Sequence, residues 1–246
     1  MTVRPVFTHP WDVSPSEAMD IQRSLRARVR VEPLDRPPEV VAGVDVSVKG
    51  AQARAAVVLL SYPDLSPFEV ATAVQPVSFP YLPGLLAFRE GPVVLAALER
   101  LHDRPDVLMF DAQGLAHPRR MGLAAHLGVL LDLPAVGCAK SCLCGTYVEP
   151  DVPRGSWSPL VDEGEVIGAV VRTRDGVQPL YVSVGHRVDL ETAVALVVQC
   201  ASRYRLPEPA RWAHRAAGGE KLSRITDYGL RITDYELRIT DHGSHG

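Results

Sequence analysis

Three carboxylates stand where carboxylates are costly. Asp45 interrupts the β-branched run VVAGVDVSV, Asp111 ends VLMFD, and Glu90 comes just before Gly91-Pro92. A charge inside an apolar strand is unfavourable unless it is paired or bound to a metal. Acids at the ends of neighbouring strands can converge on one point, and hard oxygens of that kind suit Mg²⁺ or Mn²⁺ rather than zinc. An ion held this way can activate water and neutralise charge on a phosphate. Each acid taken alone is better explained as a turn or cap residue; the three together point to metal-dependent hydrolysis. Lys140, after PAVGCA, would pair with the acids or donate to a phosphate if it lies near them, and is otherwise a surface lysine. His117 and His214 are ambiguous in the same way.

A second constellation lies in FPYLPGLLAFREGP, Phe79 to Pro92. Tyr81 stands between Pro80 and Pro83, whose rings fix φ and stiffen the chain around one aromatic side chain. Glu90 follows Tyr81 by nine residues, so a ring on a stiffened backbone and an acid share one short segment. Other chemistries are less well served. Cys138, Cys142 and Cys144 are spaced C-x3-C-x-C with Cys200 far away, which does not make the paired spacing of a structural zinc site. There is no G-x-S-x-G, G-x4-G-K-[ST] or G-x-G-x-x-G, and Gly218-Gly219-Glu220-Lys221 is too short for a phosphate loop.

The elements that must position these residues can be read from periodicity. A helix is expected over 14–32, capped by Ser14 or Ser16, with Ala18, Ile21, Leu25 and Val29 on one face. VVAGVDVSVKG, AQARAAVVLLSYPD and FEVATAVQPVSF predict three consecutive strands, an antiparallel meander. A short helical turn at LLAFRE, a helix starting at Pro92, a buried strand in DVLMFDAQG (106–114), the helix GLAAHLGVLLDL and the strand PAVGCAK then alternate, which predicts parallel pairing. A hairpin around Arg174-Asp175-Gly176 and a last helix capped by Asp189 follow. The sum is a mixed-sheet α/β domain over 1–220. Residues 221–246 repeat RITDYGL, RITDYEL, RITDH, and are expected to be a disordered appendage, with a short coiled coil as the alternative.

The net charge of −3 argues against blanket attraction to nucleic acid. Local basic faces remain possible at Arg23, Arg26, Arg28 and Arg30, at Arg119 and Arg120, and at Arg203, Arg205, Arg211 and Arg215. No apolar run is long enough to span a bilayer, and the N-terminus lacks the apolar segment of a signal peptide, so a cytoplasmic protein with reduced thiols is expected. A monomer is the default expectation.

PYLPGLLAFREGP, VAGVDVS, FDAQGLAHPRRMGLAAHLG, VGCAKS and YVSVGHRVDLETA together resemble endonuclease V, the deoxyinosine 3′ endonuclease family, over about residues 8–218. The resemblance implies an RNase H-like fold, a mixed five-stranded sheet flanked by helices. It implies a DNA repair enzyme that hydrolyses the second phosphodiester 3′ to deoxyinosine (deaminated adenine). Mg²⁺ would be the cofactor, with Mn²⁺ able to substitute, and the ends left would be 3′-hydroxyl and 5′-phosphate. By the same resemblance Asp45, Glu90 and Asp111 look like the metal-binding acids, Lys140 like the active-site lysine, and His117 like a nearby site histidine. Tyr81 between Pro80 and Pro83 looks like a strand-separating wedge. Gly84, Leu86, Gly114, Gly122 and Gly137 look like the lining of a pocket for the flipped base, and His214 matches a further site position. KSCLCG departs from the family in carrying two cysteines, which would make the site oxidation-sensitive.

Such an enzyme must unstack a base, at a cost of a few kcal/mol, and an inserted aromatic ring recovers about 1–3 kcal/mol. Backbone groups in a tight slot could read the N1–H donor and O6 acceptor of hypoxanthine; adenine would leave them unpaired. Three rivals stay open: an incision nuclease of the same fold acting on bulky adducts, a non-cleaving reader of modified bases, and an endoribonuclease for inosine in RNA.

Overall fold

Ser14 caps the first helix, and Glu17 reaches back to the Ser14 backbone to complete a capping box. The computed structural model describes residues 3–220 and 230–233. Helix α1 (Pro15–Arg26) is shorter than the expected 14–32. Beyond it the backbone finds tertiary partners instead: Arg30 N–H donates to His186 Nδ1, and Arg187 N–H donates to the Arg30 carbonyl. The expected meander follows as β1 (Val40–Lys49), β2 (Gln52–Ser61) and β3 (Pro67–Pro76).

Helix α2 (Leu86–Leu98) runs unbroken through Pro92, which corrects the expected start of a helix at that proline. Ala87, Gly91, Val94 and Leu98 form a continuous buried stripe across it. An interior proline costs about 3 kcal/mol, and several buried apolar side chains at roughly 1.5–3 kcal/mol each outweigh that.

The alternation continues with β4 (Val107–Phe110), α3 (Leu123–Leu131) and β5 (Ala135–Ala139). After these come β6 (Trp157–Asp162), β7 (Glu165–Val171), β8 (Leu180–His186), α4 (Leu190–Cys200, capped by Asp189), α5 (Glu208–Ala217) and β9 (Arg231–Thr233). Strand β6 and helix α5 were not legible in advance. Pro207 and Pro209 disguise the start of α5, although Ala210, Ala213 and Ala217 keep a helical spacing and are buried. The hairpin around Gly176 is the antiparallel pair β7–β8.

The sheet runs β6-β7-β8-β5-β4-β1-β2-β3-β9. Its inner five, β5-β4-β1-β2-β3, with β1, β4 and β5 parallel and β1–β3 antiparallel, form the RNase H-like core that the resemblance implies. Among the described residues the sheet has nine strands rather than five because β8, β7 and β6 extend one side and β9 the other. Arg231–Thr233 pair in parallel with Glu69–Ala71 at the otherwise open edge of β3, and Arg231 meets Asp103 at 3.2 Å. These three residues therefore depart from the disordered tail expected there. The rest of the tail, 221–229 and 234–246, with the coiled-coil alternative, lies outside the described residues. No described helix is long and apolar enough to cross a membrane.

Strand β2 explains its own unbroken apolar run. Ala55, Val57 and Leu59 pack with α2 and α3 on one face, and Ala56, Val58 and Leu60 pack with Trp212, Ala213 and Ala216 of α5 on the other. A strand covered on both faces has no reason to alternate. Where α5 crosses β1 the contact is backbone on backbone: a Cβ on Gly43 would sit 1.8 Å from the Pro209 carbonyl oxygen. Gly43 and Asp45 share that face of β1, so the close approach brings α5 over the acid. Gly43→Ala should push α5 off the sheet and cost about 1–3 kcal/mol, read as a lower urea midpoint at unchanged m-value; an unshifted midpoint would refute this packing.

Candidate active site

Parallel pairing places the two aspartates side by side. Val44 is in register with Phe110, so the residues that follow, Asp45 and Asp111, emerge together, and Asp111 N–H donates to the Val44 carbonyl at 3.2 Å. Helix α5 supplies a third group. His214 Nδ1 lies 2.7 Å from Asp45 Oδ2, and ligand atoms of Asp45, Asp111 and His214 all fall within 4.8 Å of one another. Lys140, just past β5, forms an ion pair with Asp111. The other Asp45 oxygen accepts from Val46 N–H at 2.8 Å.

Glu90 lies outside this tight trio, which His214 completes. The reason is its platform: Glu90 is fixed on α2, whereas the aspartates lie on β1 and at the end of β4. It is still near enough to feel both. Burial, then Asp45, then Asp111 push its carboxyl up to about 8, with Arg89 opposing. Burial and Asp111 likewise raise Asp45, against the hydrogen bonds from His214 and Val46. Crowded acids that resist ionising favour a divalent cation among them, and the two carboxylates with an imidazole are a donor set such an ion can use.

The acids open into a cavity of about 480 Å³, within the usual span of small-molecule sites, roughly 300–1,000 Å³. The same cavity is bounded by Tyr81, Pro83, Gly84 and Leu86, so the stiffened loop and the acids share one space. Phe79 and Leu85 anchor the two ends of the loop in a buried cluster with Phe88, and Leu85 N–H closes a turn onto Leu82. Tyr81 between them is 69% exposed, with Pro80 and Pro83 exposed beside it. Helices α2 and α3 both begin at this cavity, and neither start has a side-chain cap. Ala124 N–H is taken by the Gln113 carbonyl at 3.0 Å and Phe88 N–H by the Leu85 carbonyl at 3.1 Å, which leaves Leu86, Ala87 and Leu123 N–H for a ligand's acceptors.

The expected pocket residues divide. Gly84, Leu86 and Gly122 line the cavity; Gly114 and Gly137 do not. A Cβ on Gly114 would meet the Val184 carbonyl oxygen at 2.1 Å, and one on Gly137 would meet Gly114 N at 2.4 Å, so these glycines pack the floor behind the pocket. Gly84 has φ +79°, and a Cβ there would meet Arg119 Nη2 at 2.7 Å. Its need for glycine is the turn and its supporting side chains. His117 lines the cavity but is committed within the fold. Its Nδ1 accepts from Arg119 N–H at 3.1 Å, so Nε2–H donates to the Gly84 carbonyl at 2.9 Å, and burial pushes it down to about 4. It is neutral and holds the loop, apart from the acids. Sequence reasoning missed Gln22 and Arg119 beside it; the signal for Gln22 was a polar residue between Ala18 and Leu25 on the buried face of α1. Cys142 and Cys144 are free thiols on the loop after Lys140.

Comparison with known proteins places the chain in a family. The endonuclease V family model matches residues 23–215. Endonuclease V of Methanothrix thermoacetophila is 56% identical over 206 residues, 84% of this chain and 92% of that protein. The crystal structure of endonuclease V from Streptomyces avermitilis has a TM-score of 0.82 at 44% identity, covering 89% of this chain and 97% of that one. A Ciona intestinalis endonuclease V, solved with a 23mer DNA containing an inosine followed by a ribo-adenosine, has a TM-score of 0.71 at 27% identity, covering 87% and 100%.

The raised carboxyl of Glu90 fixes the sign of a pH effect. Unfolded, it ionises near its ordinary 4.5; folded, near 8. Between those values the unfolded state binds fewer protons, so stability falls as pH rises. In chelator, the melting temperature of the wild type should drop from pH 5 to pH 8, and Glu90→Gln should flatten that drop; parallel curves for the two proteins would contradict the assigned environment.

Proposed function

Because the chain belongs to the endonuclease V family, we propose that it is a Mg²⁺-dependent DNA repair endonuclease that recognises deoxyinosine. On this proposal it hydrolyses the second phosphodiester 3′ to the lesion and leaves 3′-hydroxyl and 5′-phosphate ends. The observation that carries the proposal is the single cavity shared by the Asp45–Asp111–His214 trio and the Tyr81–Gly84 loop. A protein that only read bases would have no use for crowded acids, and an adduct nuclease would have no use for a stiffened wedge.

Tyr81 stacks in the gap left by the extruded base, and Pro80 and Pro83 keep it from folding back. The base enters the slot between the starts of α2 and α3, where backbone N–H groups meet its acceptors. Asp45, Asp111 and His214 would hold the divalent ion, with Glu90 reaching it or its water. When bound, that ion supplies positive charge for the scissile phosphate and a more acidic water. Lys140, kept beside Asp111, orients the attacking water or offsets charge on the phosphate oxygens. His117 acts by fixing the Gly84 turn, so we assign it to support of the pocket. Mn²⁺, with its tolerance of mixed oxygen and nitrogen donors, should substitute. RNA is the second substrate to consider, since the Ciona relative was solved with a ribonucleotide directly after the inosine.

End-labelled strands with one inosine, in DNA and in RNA, incubated with and without Mg²⁺, test this directly. Cleavage of the DNA one nucleotide beyond the inosine, only with the ion, is expected; cutting of RNA alone would transfer the assignment. Asp45→Ala and Asp111→Ala should abolish nicking while retaining binding to inosine DNA, and nicking at the wild-type rate would exclude them from the centre. Tyr81→Ala should weaken binding to inosine sites by about 1–3 kcal/mol, measured by fluorescence anisotropy; unchanged affinity would remove the wedge.

A further inference from the structure

We infer that Gln22 is a positioning residue that sets the gauge of the base slot; the inference rests on the proposed inosine-specific nuclease. Gln22 sits on α1, remote in sequence from every site residue, and is 1% exposed. Both donor hydrogens and the acceptor oxygen of its carboxamide are engaged. Nε2 donates to the Gly84 carbonyl at 3.0 Å and to the Met121 carbonyl at 3.0 Å, and Oε1 accepts from Arg119 Nε at 2.6 Å.

The two carbonyls occupy matching places. Gly84 precedes the first residue of α2, Leu86, by two positions, and Met121 precedes the first residue of α3, Leu123, by two positions. Both helix starts line the cavity and lack side-chain caps. One side-chain amide thus ties together the two backbone segments that present open N–H groups to the slot. Its two N–H bonds have the same length, so the separation of the walls is fixed by the width of a single NH₂ group.

The remaining contacts keep that amide in place. Arg119 bonds both Gln22 and, through Nη2 at 2.7 Å, the Gly84 carbonyl, and His117 Nε2 donates to the same oxygen. The Gly84 carbonyl therefore accepts from three side chains, and two of them also reach the α3 wall: Gln22 donates to the Met121 carbonyl at 3.0 Å, and His117 Nδ1 accepts from Met121 N–H at a longer 3.4 Å. Arg119 holds one wall and the Gln22 amide; Gln22 makes the shorter tie between the walls, carbonyl to carbonyl, with the His117 ring as a longer one beside it. A slot of fixed width can refuse a purine carrying an additional exocyclic amine, whereas a slot free to widen cannot.

The test is discrimination. Gln22→Met keeps the length and removes both donors and the acceptor; Gln22→Glu keeps the acceptor for Arg119 and replaces the donors with an oxygen facing two carbonyls. Affinity for an inosine strand and for the matching guanine strand is measured by anisotropy in Ca²⁺, and the single-turnover nicking rate is measured at saturating enzyme in Mg²⁺. For each variant that melts cooperatively, the inosine-to-guanine affinity ratio should fall about ten- to hundredfold, with the saturated nicking rate of inosine DNA within about threefold of wild type. Arg119→Lys, which loses the bond to Gln22 Oε1 while keeping a cation, reads the same ratio if the Gln22 variants do not fold. A ratio unchanged from wild type in any folded Gln22 variant, or in Arg119→Lys where neither folds, overturns the inference. Wild-type protein that neither binds nor nicks inosine strands would instead defeat the nuclease proposal itself.

Discussion

The constraint on which the molecule is built is repulsion between Asp45 and Asp111. Parallel pairing of β1 with β4 makes their adjacency unavoidable, because the register that buries Val41–Val44 against Val107–Phe110 delivers both carboxylates to the same place. In a protein interior such a pair is unfavourable unless cations surround it. The fold answers with the Lys140 ammonium on Asp111, just past the neighbouring parallel strand, and with a hydrogen bond between the His214 imidazole and Asp45, from a helix across the sheet. Glu90 adds a third acid that stays protonated more readily than its neighbours' partners would lead one to expect. Charge is left unbalanced at the spot a divalent ion would occupy.

Placing His214 has its own structural cost. Helix α5 must approach β1 closely, and Gly43 makes that possible by leaving room for the Pro209 carbonyl. Trp212, Ala213 and Ala216 then pack on β2, with alanines allowing the low separation. The same logic recurs at the floor of the cavity, where Gly114, Gly122 and Gly137 bring backbone onto backbone. Several glycines that read in sequence as ligand-facing are thus better understood as contact points between elements.

What could be read in advance followed from how local the cause was. Asp45 was conspicuous because a charge broke an apolar strand, and Tyr81 because two prolines framed it; both signals are contained in a few residues. The meander and the parallel pair were legible for the same reason. His214, α5 and the bond from Gln22 depend on segments that meet only after folding, so nothing near them in sequence announced their partners. Pro92 misled because its local rule, helix start, was overridden by burial on both sides of it. The expected third acid, Glu90, lies close enough to feel Asp45 and Asp111 but outside their tight group with His214, since spacing along the chain does not reveal which platform carries a side chain.

The wedge and the acids are joined by more than proximity. The loop from Phe79 to Leu85 runs straight into α2, and Glu90 lies four residues into that helix, about 6 Å along its axis. Arg89 ties the helix back to the loop by donating to the Phe79 carbonyl at 3.0 Å. Beneath Glu90's neighbour, Gly91 admits the Trp11 ring so closely that a Cβ would meet it at 2.7 Å, and Trp11 stacks in turn on His126 of α3. Tyr81 and Glu90 are therefore mounted on one braced unit. On the nuclease proposal, a base held by that unit leaves little freedom in which phosphate reaches the acids, so a fixed offset between lesion and cut is a property of the rigid segment and needs no separate measuring device.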